Sequence, residues 1–277
     1  MIPMSISIDE LKDLGLQVYE KIHPILGTEL AAKTSTRGAG GDITMYIDTL
    51  AENTIINGLK EFGSNLLLIS EEIGEKYIGN REKAVKNNYV LIVDPIDGSN
   101  NSVRGIPYCS VSIAYAKGSY MRDIIKGVIV NLYTKDIYWA EKGKGAFMND
   151  HKIHVSELGI SDKPFFEINI APRNIKHNLE RLEPIISKFH RIRILGSTAL
   201  SLCQIASGSM EVFLDFRESN RLVDTAAGYL ILKEAGGKIF SFDGKEINLE
   251  LGIDKRFSFI ACNPHMEAFL REKLVNK

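Results

Sequence analysis

Two short apolar runs constrain this chain more than any other feature. Asn65-Leu66-Leu67-Leu68-Ile69 and Tyr89-Val90-Leu91-Ile92-Val93 each end abruptly in acidic residues. Runs this short and this uniformly apolar predict buried strands. The first continues as Ser70-Glu71-Glu72, the second as Asp94-Pro95-Ile96-Asp97-Gly98-Ser99. Pro95 fixes its own backbone and argues against a regular continuation of the strand. Gly98 permits close backbone approach, and Ser99 adds a hydroxyl and an amide. Asp94 and Asp97, with the Ile96 carbonyl between them, form the hard-oxygen set that Mg²⁺ prefers beside a phosphate and retained waters. A tight Gly-Ser turn can also direct backbone N–H groups at a phosphate. Plainer alternatives exist: an exposed Asp-Pro turn for this segment, and a solvated loop start for Glu71-Glu72.

The rest of the chain is that of a globular protein. Of 277 residues, 44% are hydrophobic and 25% charged, which argues against a disordered or collagen-like chain. Lys+Arg and Asp+Glu number 34 and 35, a net charge of −1, so neither nucleic acid nor a polybasic membrane contact is expected. No apolar run is long enough to span a bilayer. Met1–Ser7 lacks the basic and apolar regions of a signal peptide, so a cytoplasmic location is expected. Cys109, Cys203 and Cys262 are far apart, which speaks against a Cys-rich zinc site or a disulfide framework.

Periodicity predicts a helix over Leu11–Leu30 and another over Leu50–Phe62, with Thr49 and Glu52 spaced as a capping box. Lys33–Gly41 is a polar loop. The middle is β-rich: Ser110–Tyr115 alternates, and Gly127–Tyr133 with Ile137–Glu141 reads as a hairpin. Asn149-Asp150 is a further turn. Beyond Ser161, strands Phe165–Ile170, Arg191–Leu195, Glu211–Phe216 and Phe257–Cys262 alternate with helices Leu200–Ala206, Val223–Ala235 and His265–Leu274. Gly236-Gly237 is a helix stop. An α/β (α+β) layered architecture follows. A soft boundary falls at 150–165, giving one catalytic unit with lobes of about 1–157 and 158–277.

Asp224, in Leu222-Val223-Asp224-Thr225-Ala226-Ala227-Gly228, reads either as a helix N-cap or as a ligand; the small residues after it allow close packing. Asp42 and Asp48 flank a β-branched stretch, and Asp48 reads equally as a simple helix-entry residue. None of these is specific alone. Their order is: Gly-Asp-(five residues)-Asp, Glu-Glu, Asp-Pro-Ile-Asp-Gly-Ser and Asp-x-Ala-Ala-Gly together resemble the inositol monophosphatase superfamily. Gly105-Ile106-Pro107, Lys142–Phe147 and Glu234-Ala235-Gly236-Gly237 extend the resemblance over about residues 11–265.

The resemblance implies a layered α-β-α-β-α sandwich and a Mg²⁺-dependent, lithium-sensitive phosphatase. It implies two to three Mg²⁺ ions, with Mn²⁺ able to substitute. One metal would use Glu71, Asp94 and the Ile96 carbonyl; a second Asp94, Asp97 and Asp224; a third, weaker one, Glu71 and water. A Thr hydroxyl linked to an Asp activates the attacking water in the family, and Ser99 and Asp48 are the matching pair. Gly98 and Ser99 amides would hold phosphate oxygens. None of the six histidines falls in these motifs.

The late motif departs from the family: Val223 stands where Trp is usual, and Arg217 where inositol phosphatases carry a Glu. An acid-to-base change favours a second anionic group on the substrate. The segment resembles the archaeal branch that hydrolyses both fructose 1,6-bisphosphate and inositol 1-phosphate, in which Arg193 and Thr198 match further substrate contacts. The plainer alternative makes Arg193 and Arg217 surface or ion-pair residues, and the surrounding motif weighs against it. Another family phosphatase, for 3′-phosphoadenosine 5′-phosphate or another polyol phosphate, is the first alternative, and an inactive phospholigand-binding protein the second. Against the latter, Glu71, Asp94, Asp97, Asp224, Asp48 and Ser99 are all present. Lys33–Gly41 would be a lid over the metals. A homodimer or homotetramer is implied.

Overall fold

The computed structural model describes residues 5–37, 39, 43–170 and 175–275. Helix α1, Ile8–Ile22, begins at Ser7, whose hydroxyl accepts from the Glu10 amide while the Glu10 carboxylate accepts from the Ser7 amide. It buries a stripe of Leu11, Leu14, Val18 and Ile22. The expected run to Leu30 stops earlier, because Pro24 lacks an amide proton and a 3₁₀ turn takes over at His23–Ile25. A small hairpin, β1 (Thr34–Arg37) and β2 (Ile43–Met45), leads into α2, Tyr46–Glu61. That helix starts four residues before the expected Leu50. Its capping acid is Asp48, whose Oδ2 accepts from Met45 N at 3.0 Å; Glu52 lies inside the helix and is buried.

An eight-stranded sheet follows. Its strands are β3 (Leu66–Ser70), β4 (Gly74–Ile78), β5 (Tyr89–Asp97), β6 (Ser110–Lys117), β7 (Ile124–Asn131), β8 (Ile137–Glu141), β9 (Gly145–Met148) and β10 (His151–Ile153). Their spatial order is β10-β9-β8-β7-β6-β5-β3-β4, with β3 and β5 parallel and the other pairs antiparallel. Helix α3 (Arg81–Asn87) and the short α4 (Ser99–Arg104) flank β5. The second sheet contains β11 (Phe165–Asn169), β12 (Arg191–Arg193), β13 (Val212–Arg221), β14 (Lys238–Phe240) and β15 (Arg256–Cys262), in the order β12-β11-β13-β15-β14. The remaining helices are α5 (Ile175–Ile186), α6 (Thr198–Ala206), α7 (Leu222–Glu234) and α8 (Pro264–Leu274).

Side-chain alternation builds the layers. On β5, Leu91 and Val93 pack with α1 and α2, while Val90 and Ile92 face α6 and α7. On β13, Phe213 faces α6 and α7, while Val212 and Leu214 pack with α5 and α8. The result is the expected α-β-α-β-α sandwich, α1/α2, sheet, α6/α7, sheet, α5/α8. Every residue of α7 from Leu222 to Leu232 is buried, because sheets cover both of its faces. It approaches the first sheet closely at Gly127, where a Cβ would lie 2.9 Å from the Ala227 carbonyl oxygen. The chain also ties α7 to that sheet at its far end. Glu234 accepts from the amides of Gly143 and Gly145 at 2.8 and 2.9 Å, joining two of the motifs noted in the sequence.

Strand β5 does not stop at Pro95. It continues to Asp97, but its register against β6 shifts between Asp94↔Ser112 and Asp97↔Ser110. Three steps on β5 oppose two on β6, so the segment holds one extra residue, a bulge. Proline is tolerated there because the ladder is already broken. Among the described residues, no helix is long and apolar enough to cross a membrane.

Candidate active site

The bulge decides the geometry of the acids. Residues three apart on a regular strand point to opposite faces; the extra residue resets the alternation. Asp94 and Asp97 therefore share a neighbour: the charge of Asp224, from the first turn of α7, acts on both. Glu71 enters from the turn after β3. Carboxylate oxygens of Glu71, Asp94 and Asp224 lie within 4.8 Å of one another, and all three residues are buried. Asp224 Oδ1 has no hydrogen-bond partner; Arg221 Nε is 3.4 Å away, an ion pair without hydrogen-bond geometry. Arg221 also pairs with Glu71.

Burying like charges raises their proton affinity. Burial, reinforced by Asp224, Glu72 and Asp48 against the pull of Arg221, pushes Glu71 up to about 8. Burial, then the charges of Glu71, Asp224 and Asp97, holds Asp94 well above the usual carboxylate range. Burial and Asp224 push Asp97 up to about 7 although its Oδ2 accepts from Ser197 Oγ and Ala199 N, both at 2.6 Å. A buried set of oxygen donors, one atom of it orphaned, with a proton affinity this high, fits a divalent cation: the cation supplies the charge that burial denies.

Ser99 lies beside this cluster. Its Oγ is 3.1 Å from Asp48 Oδ1 and 2.8 Å from the Ile96 carbonyl oxygen. A hydroxyl carries one proton, so it donates to one of them at a time. Burial pushes Asp48 up to about 6, against the opposing hydrogen bonds from Met45 and Ser99. Gly98, at φ +95°, is the residue before α4, and a Cβ there would lie 2.9 Å from the Tyr108 carbonyl oxygen, so the turn requires glycine. The first-turn amides of α4 follow it.

The fold thus brings together Glu71, Asp94, Ile96, Asp97, Asp224, Gly98, Ser99 and Asp48. Asp224 is not the N-cap of α7; that position is Arg221, and Asp224 sits one turn inside. Thr198 and Arg217 form a second group. Arg217 Nη2 donates to Thr198 Oγ1 at 3.0 Å and to Asn220 Oδ1 at 3.2 Å, and the guanidinium is paired with the buried Asp215 at 2.6 Å. The pair carries no net charge. Among the described residues, Arg217 Nη1 makes no hydrogen bond, so the clamp presents one oriented donor. Arg193 is placed differently. Its guanidinium lies over the Phe165 ring, 5.2 Å from the centroid, and Nη1 donates to the Ile192 carbonyl. It makes no ion pair with the acidic cluster among the described residues. Of the Lys33–Gly41 loop, Thr34–Arg37 forms β1 and Ala39 N–H donates to the Glu72 carbonyl at 2.9 Å. Residues 38, 40 and 41, and Asp42, lie outside the described residues.

Sequence reasoning assigned no role to Arg221, Asp215, Ser197 or Glu167, and gave Glu52 only a helix-capping role that the fold does not bear out. Glu167, on β11, is buried; its Oε1 accepts from Leu195 N at 3.2 Å, fixing the segment that delivers Ser197 and Ala199 to Asp97. Burial pushes it up to about 7. Apart from that spacing of Glu52, only Ser197 had a local signal, an N-cap position before α6. The others depend on contacts between elements.

Residues 7–276 match the inositol monophosphatase family. A fructose-1,6-bisphosphatase/inositol-1-monophosphatase of Methanothermobacter thermautotrophicus is 36% identical over 252 residues, covering 89% of this chain and 88% of that protein. A bifunctional NADP phosphatase/NAD kinase of Methanococcus maripaludis is 35% identical over 279 residues, 95% of this chain but 47% of that protein. The chain therefore spans about half the length of that relative. A crystal structure of an inositol monophosphatase–fructose 1,6-bisphosphatase superposes with a TM-score of 0.84 at 28% identity, covering 98% of this chain and all of the other. With a family match over nearly its whole length and close relatives in that family, the chain belongs to the inositol monophosphatase family.

Proposed function

We propose that this chain is a Mg²⁺-dependent phosphomonoesterase that converts fructose 1,6-bisphosphate to fructose 6-phosphate and inositol 1-phosphate to inositol. The observation that carries the reading is the buried Glu71–Asp94–Asp224 cluster beside the Ser99–Asp48 pair. Glu71, Asp94, the Ile96 carbonyl, Asp97 and Asp224 would hold two to three ions, with Mn²⁺ able to substitute. When bound, such ions neutralise phosphoryl oxygens and make a water acidic enough to ionise near neutral pH. The chain's own residues do the rest. Ser99 Oγ accepts a proton from the attacking water as it donates its own to Asp48. Asp48, pushed up to about 6, is mostly ionised at pH 7 and can take that proton. The amides of Gly98, just before α4, and of Ser99, its first residue, hold the phosphate. Arg217, clamped by Asp215 and Thr198, offers its remaining donor to a second anionic group or a sugar hydroxyl. The lobes of about 1–157 and 158–277 act as one catalytic unit, in a cytoplasmic homodimer or homotetramer.

A second reading, dephosphorylation of NADP, is favoured by one observation: relatives named bifunctional NADP phosphatase/NAD kinase are 35% and 32% identical to this chain. Phosphate release with Mg²⁺ from fructose 1,6-bisphosphate, inositol 1-phosphate and NADP separates the two. Comparable rates on the first two support the main reading, and release from NADP alone supports the second. No release from any, with Mg²⁺ or Mn²⁺, refutes both.

A further inference from the structure

Glu52 has no part in the chemistry above, yet it is buried on a helix face otherwise lined by Ala51, Ile55 and Leu59. It lies one turn after Asp48, so both carboxylates leave the same side of α2. Its Oε1 accepts from Ser70 Oγ at 2.6 Å and from Ile73 N at 3.0 Å, and the Glu72 amide donates to the same carboxylate. Those donors bracket Glu71 on both sides. A second tether holds the turn from outside, where Ala39 N donates to the Glu72 carbonyl at 2.9 Å. Burying a carboxylate is costly unless its bonds are made, and here every bond goes to one four-residue turn.

We infer that Glu52 is a positioning residue for the metal site: it holds residues 70–73 so that Glu71 presents its carboxylate to Asp94 and Asp224. The inference rests on Glu71 being a metal ligand. One helix face then sets two parts of the site at once, Asp48 at Ser99 and Glu52 at the Glu71 turn. The four-residue step from Asp48 to Glu52 corresponds to about 6 Å of helix rise.

The test is calorimetric titration of the metal-stripped full chain with Mn²⁺, alongside melting curves of the metal-free protein. Glu52→Gln keeps the shape but turns one acceptor into an amide facing donors. Removing an outer partner of a ligand costs about 10–100-fold in metal affinity, and that loss is expected, with the substrate KM unchanged at saturating metal. Ser70→Ala removes one donor and should give a smaller loss in the same direction. Ile55→Val, buried on the same helix, should lower the melting temperature and leave the affinity unchanged. Wild-type affinity in both Glu52→Gln and Ser70→Ala overturns the inference. So does an equal loss of affinity in Ile55→Val. Glu71→Gln separates the failures. If it loses Mn²⁺ while Glu52→Gln keeps it, only the positioning role falls. If it too binds like wild type, the metal-site reading falls with it.

Discussion

Replacing Asp94 by Asn should stabilise the metal-free protein while abolishing its activity. Asp94 is almost fully buried, and its Oδ1 accepts from the Ile96 amide, a bond that an Asn oxygen can keep. Its carboxylate lies within 4.8 Å of those of Glu71 and Asp224. At an effective dielectric constant of 20, two charges at that separation repel by about 3.5 kcal/mol. Arg221 offsets part of this, and Glu71, pushed up to about 8, is partly protonated at neutral pH. A net gain of about 1–3 kcal/mol at pH 8.5 is expected, which for a chain of this size corresponds to about 2–5 °C in melting temperature. The sign depends on pH. Carboxyls whose folded pKa lies above the unfolded value stabilise at acid pH and lose that contribution as pH climbs through the folded value. Glu71, Asp94 and Asp97 are all of this kind. Metal-free wild type should therefore melt lower as pH rises from 5 to 8.5, and the variant less so. Toward pH 5 the difference should shrink, and it vanishes only below the ordinary carboxylate value of 3.8, where Asp94 is neutral in both the folded and the unfolded chain. The assay is a series of melting curves in EDTA across that range, followed by turnover with Mg²⁺, where loss of a direct ligand should cost at least about 100-fold. Equal shifts at pH 5 and 8.5, destabilisation at 8.5, or wild-type turnover would each refute the reasoning.

Arg217→Leu leaves Asp215 buried and unpaired, so it should destabilise by about 3–5 kcal/mol, whereas Asp215→Asn/Arg217→Gln should recover much of this in urea unfolding. If the double variant then loses bisphosphate turnover more than inositol phosphate turnover, Arg217 discriminates between substrates; parallel losses mean that it does not. Ser99→Ala should lower kcat by about 10²–10⁴-fold with little change in melting temperature, and Ser99→Thr should retain activity. In wild type, cations near Asp48 lower its pKa, so the acid limb of kcat/KM should fall at or below about pH 6; a limb near pH 8 would contradict its role as proton acceptor. Gly127→Ala should drive a Cβ into the Ala227 backbone, cost about 1–3 kcal/mol in melting experiments and weaken metal affinity by displacing Asp224. Unchanged affinity would show that α7 tolerates the shift.

The local chemistry of the site was legible because it follows from residue type and order. Apolar runs ending in acids, a glycine at a tight turn and a hydroxyl beside it specify oxygen ligands and a phosphate cradle without any fold. The layers were legible too, since periods of about 2 and 3.6 residues record which side of an element is buried. Three features were not. Pro95 signalled a break, but only the pairing with β6 makes that break a one-residue bulge, and only the bulge turns Asp94 and Asp97 toward Asp224. Glu52 has the spacing of a helix cap, and only the docking of α2 against β3 gives it to Ser70 and Ile73. Arg217 read as an added positive charge, and only the fold sets it against buried Asp215, which cancels that charge and leaves a directed donor. Sequence carries what a residue can donate, accept or bury, because those are properties of the side chain. Which partner it meets is decided by contacts between distant elements, and these exist only once the sheets and helices have packed.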